Sequence, residues 1–337
     1  MPGESTVSRV QLDAIDTLGR DLSRSECVLA TANGRLYASS WRGGVSVVEP
    51  DGSQWDLLAR DPGFEVLPNG ITLMADGSFL LSHLGAETGG VFLLFEDGTL
   101  APFLIEVDGA VLPPTNFAHL DARGRIWITV STRQVPRAKG YRADVADGFI
   151  VLVDDRGARI VAEGLGYTNE CIVHPDGERL FVNETFARRL SCFEIDENGD
   201  LGARRTLVEF GQGCFPDGLA FDIDGNAWIT SIVSNRVLRV DSHGQVDVVI
   251  EDVDAEHLDR VEAAYLAGNM GRPHLDQAHS EKLRNISSLA FGGEDLRTAY
   301  LGCLLGDNLY RFAAPVAGHP PAHWHFDGPR QQGGMAS

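Results

Sequence analysis

Short apolar runs recur along the chain, each opened by a polar residue and interrupted by a glycine-containing turn. The first is Glu26-Cys27-Val28-Leu29, followed by Asn33-Gly34 and Leu36-Tyr37. Next come Asn69-Gly70-Ile71-Thr72-Leu73 with Asp76-Gly77, and Asn116-Phe117-Ala118-His119-Leu120 with Arg123-Gly124 and Ile126-Trp127. The later three are Asn169-Glu170-Cys171-Ile172-Val173 with Asp176-Gly177, Asp217-Gly218-Leu219-Ala220-Phe221 with Asp224-Gly225 and Ala227-Trp228, and Ser287-Ser288-Leu289-Ala290-Phe291 with Gly292-Gly293. Asp-Gly and Asn-Gly pairs supply the positive φ angles of tight hairpins, and the flanking Val, Ile, Leu, Phe and Trp favour pleated, half-buried strands. Each unit reads as a four-stranded antiparallel sheet. A period of roughly 45 to 50 residues, without helix-strand alternation, matches propeller blades. The pattern therefore predicts an all-β chain, a six-bladed β-propeller of four-stranded antiparallel blades.

Two segments break the period and are expected to be loop or helical insertions over the channel mouth. Residues 133–147 are basic and contain Pro and Gly; residues 252–285 include a stretch from Ala255 to Leu266 with helical character. The propeller is expected over residues 22–314, with 1–21 as an N-terminal extension and 315–337 as a C-terminal tail. Before Leu22 the chain reads as either a closing strand or a short outer helix, and from Gln331 through Ser337 as disordered.

Composition sharpens this picture. Of 337 residues, 43% are hydrophobic, 23% are charged and 38 are Gly, which suits a folded, turn-rich protein. The formal net charge of −20, with no cluster of Lys or Arg to reverse it, argues against nucleic acid or an anionic membrane as partner. A small molecule is the expected partner, and oligomeric state is not readable. No apolar run approaches the roughly 20 residues of a spanning helix, and the start at Met1 lacks a signal-peptide layout, so a cytoplasmic protein is expected. Cys27, Cys171, Cys192, Cys214 and Cys303 are odd in number and widely spaced, which argues against a disulfide framework or a zinc ribbon.

The polar residue opening each unit stands at the start of the innermost strand, where side chains converge on the propeller axis. Around the ring these are Glu26, Asn69, Asn116, Asn169, Asp217 and Ser287, all oxygen donors, with no His or Cys. Such a ring suits a hard cation, Ca²⁺ before the others, since zinc more often recruits imidazole or thiolate. A cation also removes the cost of two facing buried carboxylates. The competing reading is that Asn and Asp merely satisfy strand ends; recurrence at equivalent places in successive units favours the metal.

The stretch from Tyr167-Thr168-Asn169 through His174-Pro175-Asp176-Gly177, then Gly199-Asp200-Leu201, Arg204-Arg205, Phe215-Pro216-Asp217-Gly218-Leu219-Ala220 and Asp224-Gly225-Asn226-Ala227-Trp228, resembles the senescence marker protein 30, gluconolactonase and luciferin-regenerating-enzyme family. Weaker similarity runs from Glu26 to about Phe312. The resemblance implies a six-bladed propeller with one divalent metal (commonly calcium, also zinc, magnesium, manganese or iron) and lactone hydrolysis. It implies Glu26, Asn169 and Asp217 as metal ligands, Asp217 as the catalytic carboxylate, and Asn116 as a substrate contact. The sequence departs from the family at Asn169-Glu170, at Asn116-Phe117-Ala118 and at Pro114, where an Arg often grips a sugar. Phe117 and the apolar run Val111-Leu112-Pro113-Pro114 point to a less polar substrate, unless Phe117 is core. His257, His274 and His279 in the later insertion are candidates for an acid or base from above.

The expected function is thus a metal-dependent hydrolase of lactone type: the ion polarises a carbonyl, Asp217 activates water, Asn116 orients substrate, and Asn69, Tyr141, Asn285 and Ser287 shape the pocket. A metal-dependent lyase, dehydratase or isomerase acting on a hydroxy or keto compound is the alternative. More remote are a metal-free condensing enzyme like strictosidine synthase and a non-catalytic propeller scaffold. There is no Gly-x-Ser-x-Gly elbow, Walker loop or His-Glu-x-x-His motif.

Overall fold

The computed structural model describes residues 7–331, so the disorder expected from Gln331 to Ser337 falls, past its first residue, outside the described residues. Six four-stranded antiparallel sheets form a propeller. The innermost strands are Val28–Ala30, Pro68–Leu73, Thr115–Leu120, Thr168–Val173, Phe215–Phe221 and Ile286–Gly292, in blades one to six. The turns are those the sequence calls for, with Gly34, Gly77, Gly124, Gly177 and Gly225 at φ of 83°, 85°, 79°, 75° and 81°.

Asp16–Leu18 pairs antiparallel with Leu309–Arg311 as the outermost strand of blade six. The segment before Leu22 is therefore both of the expected things: a 3-10 turn at Leu12–Ala14 and the strand that closes the ring. The propeller starts inside the stretch assigned to an N-terminal extension, because blade six has only three strands of its own. Likewise residues 315–331 are not a free tail. Gly318 bridges Asp222, the His319 N–H donates to Phe221 O at 2.9 Å, and Trp324 packs with Leu36 and Val48, so this segment crosses the end of the channel opposite the insertions.

Among the described residues one apolar layer fills each gap between neighbouring blades, for example Tyr37, Ile71, Phe79 and Leu81 between blades one and two. A seventh layer, with Tyr141, Phe186, Phe215, Val261 and Tyr265, lies beneath the insertions. All five cysteines are free and buried. Asp121 and Asp222 serve a repeated structural purpose, each accepting the indole N–H of the Trp six residues on (2.9 and 3.0 Å) and pairing with Arg125 or Arg239 (2.6 and 2.7 Å).

The later insertion forms helix α1 (Ala255–Leu266), capped by Asp254, and the short helix α2 (Arg272–Asp276). The amphipathic α1 is pinned through Glu262, which receives two bonds from Arg188 (3.1 and 2.6 Å) and one from the Gly213 N–H (2.7 Å). The earlier insertion makes a 3-10 turn, Arg137–Gly140. No helix among the described residues is long and apolar enough to cross a membrane.

Removing one member of a buried ion pair leaves the other charge uncompensated, at a cost of about 3–5 kcal/mol. Asp222→Ala is therefore expected to lower the unfolding free energy by about that much, read by urea denaturation. A loss below about 1 kcal/mol would show that Asp222, Trp228 and Arg239 do not act as a unit.

Candidate active site and metal centre

Pairing slips at one place in each inner strand of blades two to six: between Pro68 and Ile71, Thr115 and Phe117, Thr168 and Cys171, Pro216 and Leu219, and Ile286 and Ser288. These slips contain Asn69, Asn116, Asn169, Asp217 and Ser287. A bulge frees a residue from the ladder and re-aims its side chain. In blade one Glu26 stands two residues ahead of the strand. The bulge at Asp217 is tightly held: the Asn183 amide donates to Asp217 O (3.0 Å) and Gly218 O (3.1 Å), and the Gly218 N–H donates to the Thr230 hydroxyl (2.8 Å). Gly218 has no room for a side chain, since a Cβ there would lie 2.5 Å from Ser287 O.

A small pocket of about 20 Å³ is lined by Glu26, Asn116, Asn169 and Asp217 from the inner strands, by Arg24, Tyr167, Thr185 and Phe186, and by Arg137, Tyr141, Arg272 and Leu275 from the insertions. Both insertions thus roof the site. Asn169 donates its amide to the Thr185 hydroxyl (3.0 Å), which in turn donates to Pro216 O (2.8 Å), fixing which way the amide group lies. Asn69 donates to Asn116 O (3.2 Å), and the side-chain oxygens of Asn69 and Asn116 are both buried without a partner.

Charge dominates the chemistry here. Burial, and then Glu26, push the Asp217 carboxyl well above the usual carboxylate range, against the pull of Arg24 and Arg137. Glu170, next to Asn169, is pushed up as well, by burial first and by Asp217 and Glu26 besides, although it accepts the Leu219 N–H (2.8 Å). Arg24 bonds Glu26 at 3.1 Å and lies 4.2 Å over the Trp41 ring. Its pKa is lowered by burial, a shift that Glu26 opposes and that Arg272 and Arg137 reinforce. Burial would raise Tyr141, but Arg137 and Arg272 outweigh it and the phenol sits below its ordinary range.

These residues fit a hard divalent cation. Two buried carboxylates of like sign, one of them driven toward protonation, and an unpartnered amide oxygen at Asn116 are what such an ion would relieve. Glu26, Asn169 and Asp217, which line one pocket, could hold it. The set includes an amide, and among the described residues no cluster of three or more His, Cys, Asp or Glu is arranged to hold a metal.

Other expected residues serve elsewhere. Asn285 accepts the Val233 N–H (2.7 Å) and donates to Leu275 O (2.8 Å), tying down the insertion, and Ser287 donates to Glu26 O (2.7 Å). Neither lines the cavity. His257 meets the His274 carbonyl at 2.9 Å and the His274 ring bonds Gly271, so these two organise the insertion, while His279 is exposed; none of the three lines the pocket. Phe117 packs in the layer between blades one and two and faces a second cavity of about 390 Å³ on the far side of the channel, closed by residues 319–323. It therefore says nothing about substrate polarity. Arg24, Arg137 and Arg272 also line the pocket, announced in the sequence only by the basic character of 133–147 and the Arg two residues ahead of Glu26, and Tyr167, which opens the motif around Asn169, lines it too.

The family model described as SMP-30/Gluconolactonase/LRE-like region matches residues 24–255. The chain belongs to this family. A 6-deoxy-6-sulfogluconolactonase of Pseudomonas putida is 30% identical over 233 residues, 68% of this chain and 66% of that protein, just under two thirds of its length. The pentonolactonase XacC of Haloferax volcanii is 26% identical over 71% of this chain and 67% of its own. Among solved structures, a gluconolactonase from Xanthomonas campestris superposes with a TM-score of 0.66 at 19% identity, over 95% of this chain and 97% of the other, a likeness of fold.

The sign of the Asp217 shift sets a pH dependence for the metal-free protein. A carboxyl whose folded pKa is raised binds its proton more tightly folded than unfolded, so stability declines as pH climbs from the ordinary aspartate value of 3.8 toward the higher folded value. In chelator, the melting temperature is expected to fall between pH 5 and pH 8, less so in Asp217→Asn. Added Ca²⁺ is expected to raise the wild-type value at pH 8 more than that of the variant. Parallel behaviour of both proteins in both titrations would remove Asp217 from the ion's ligand set.

Proposed function

We propose that the protein is a divalent-metal-dependent hydrolase that opens a lactone or related cyclic ester. The observation that carries this reading is the convergence of Glu26, Asn169 and Asp217, beside the unpartnered Asn116 oxygen, in one buried pocket roofed by both insertions. The two relatives with lactonase names support ester opening as the reaction. The all-oxygen donor set favours Ca²⁺, with Zn²⁺, Mg²⁺, Mn²⁺ or Fe²⁺ as other occupants to be tested.

When bound, the ion supplies a positive centre that polarises the substrate carbonyl and holds Asp217 in its charged form. Asp217 then takes a proton from water as the water oxygen bonds to the carbonyl carbon. The bond from that carbon to the ring oxygen breaks, and the departing oxygen recovers the proton from Asp217, leaving a hydroxy acid. Asn116 orients the ring from the neighbouring blade. The two insertions, through Arg137, Tyr141, Arg272 and Leu275, shield the reacting atoms from bulk water.

Elemental analysis combined with a pH-indicator assay over a lactone panel tests the proposal. About one metal per chain, acid release abolished by chelator, and a fall of about 100- to 10,000-fold in kcat for Asp217→Asn are expected. A metal-loaded protein that opens no lactone, or an Asp217→Asn variant with full activity, would falsify it.

A further inference from the structure

Three arginines, Arg24, Arg137 and Arg272, line the same pocket as two carboxylates, Glu26 and Asp217. They come from three separate segments: the approach to the inner strand of blade one, the 3-10 turn of the earlier insertion, and the first residue of α2. Arg24 is committed to Glu26, yet its Nε is buried without a partner. Arg272 is balanced on its outer side by Asp276. Arg137 feels Tyr167, Tyr141, Glu26 and Asp217 electrostatically, but among the described residues it makes no hydrogen bond or close ion pair with any of them. Between the two insertions, the buried Tyr141 hydroxyl lies within reach of Tyr167 and Arg272.

With Glu26, Asp217 and Asp276 set against the three arginines, the pocket is close to neutral. A divalent cation then leaves it about two charges positive, in a buried place where like charges repel strongly. An Arg at neutral pH cannot relieve this by losing its proton. A bound anion can, and paired guanidiniums match the geometry of carboxylate, sulfonate and phosphate oxygens.

We propose that Arg137 and Arg272, one from each insertion, bind an anionic substituent of the substrate, with the Tyr141 hydroxyl as a third donor. The inference rests on the lactone-opening reading above and narrows it: the preferred substrate is a lactone bearing a second acidic group away from the reacting carbonyl. The anion bridges the two insertions, so its charge also helps to hold them closed over the ring. The apolar neighbours Phe186, Ile232, Leu275 and Leu304 exclude water and strengthen the pairing.

The test compares kcat/KM for glucono-1,5-lactone with that for 6-phosphoglucono-1,5-lactone and for a glucaric acid lactone, in wild type, Arg137→Gln and Arg272→Gln. Lysine variants at both positions serve as charge-retaining controls, and a melting curve is recorded for each protein. Sulfate binding to the Ca²⁺-loaded protein, followed by calorimetry, gives a readout independent of turnover. A preference of about tenfold to hundredfold for the anionic lactones is expected, collapsing toward unity in the Gln variants, mainly through KM, and partly kept in the Lys variants. Sulfate affinity should fall in parallel. A phosphate-only or carboxylate-only preference that depends on both arginines supports the inference and identifies the group. Equal or better turnover of the neutral lactone, with sulfate binding absent or unchanged in the Gln variants, overturns the anion site and leaves lactone opening standing. Arginine-dependent sulfate binding without turnover of any lactone upholds the anion site and removes the lactonase reading instead.

Discussion

Two carboxylates of like sign, Glu26 and Asp217, are buried together at one end of the central channel, and much of the surrounding structure answers to that constraint. An uncompensated pair of buried charges would drive one of them to bind a proton or the channel to open. Arg24 meets the demand from below, braced on Trp41 and held in a left-handed backbone conformation with φ at 50°. Arg137 and Arg272 meet it from above. The result is a site whose charge balance depends on what occupies it, which is the electrostatic condition for binding a cation and an anion together.

The way the carboxylates arrive is equally physical. A regular strand would point alternate side chains at the neighbouring blades and would keep every N–H in the ladder. The bulge repeated in blades two to six frees a polar residue from each ladder, bringing Asn116, Asn169 and Asp217 to the pocket, and the surrounding donors and acceptors, Asn183, Thr185 and Thr230 among them, repair the broken pairing. The polar ring is thus built by a fault placed at the same point in blade after blade. The apolar layers between the blades are left undisturbed by it.

Much of this was legible before any coordinates, because the features that specify blades are local. Asp-Gly turns, alternating apolar positions and the polar residue ahead of each inner strand lie within a few residues of one another. The helix from Ala255 to Leu266 was legible for the same reason. What escaped was set by distant contacts. Ser287 and Asn285 look like pocket residues in sequence, but each is claimed by a backbone partner far away along the chain, Glu26 for one and Val233 with Leu275 for the other. The three histidines of the insertion resemble catalytic groups until its fold turns His257 and His274 to its own backbone and leaves His279 exposed. Arg137 and Arg272 meet at the site from two separate insertions, and the one that carries Arg272 is seated on the propeller by Glu262 and Arg188, a pairing between residues 74 positions apart. Nor does anything near residue 320 announce that it will close the opposite mouth of the channel.

The closing strand has a consequence for how the molecule is made. Blade six receives its fourth strand from Asp16–Leu18, which must find Leu309–Arg311 across nearly the whole chain. During synthesis those first residues leave the ribosome early and have no partner until the last blade has emerged. Blades one to five can pack in order as they appear, but the ring stays an open arc with two bare edges until that late meeting. Such long-range pairing is slow to form and exposes strand edges while it waits. Once made, it fastens the two ends of the arc to each other, so that opening the ring from either end first requires undoing the same short seam.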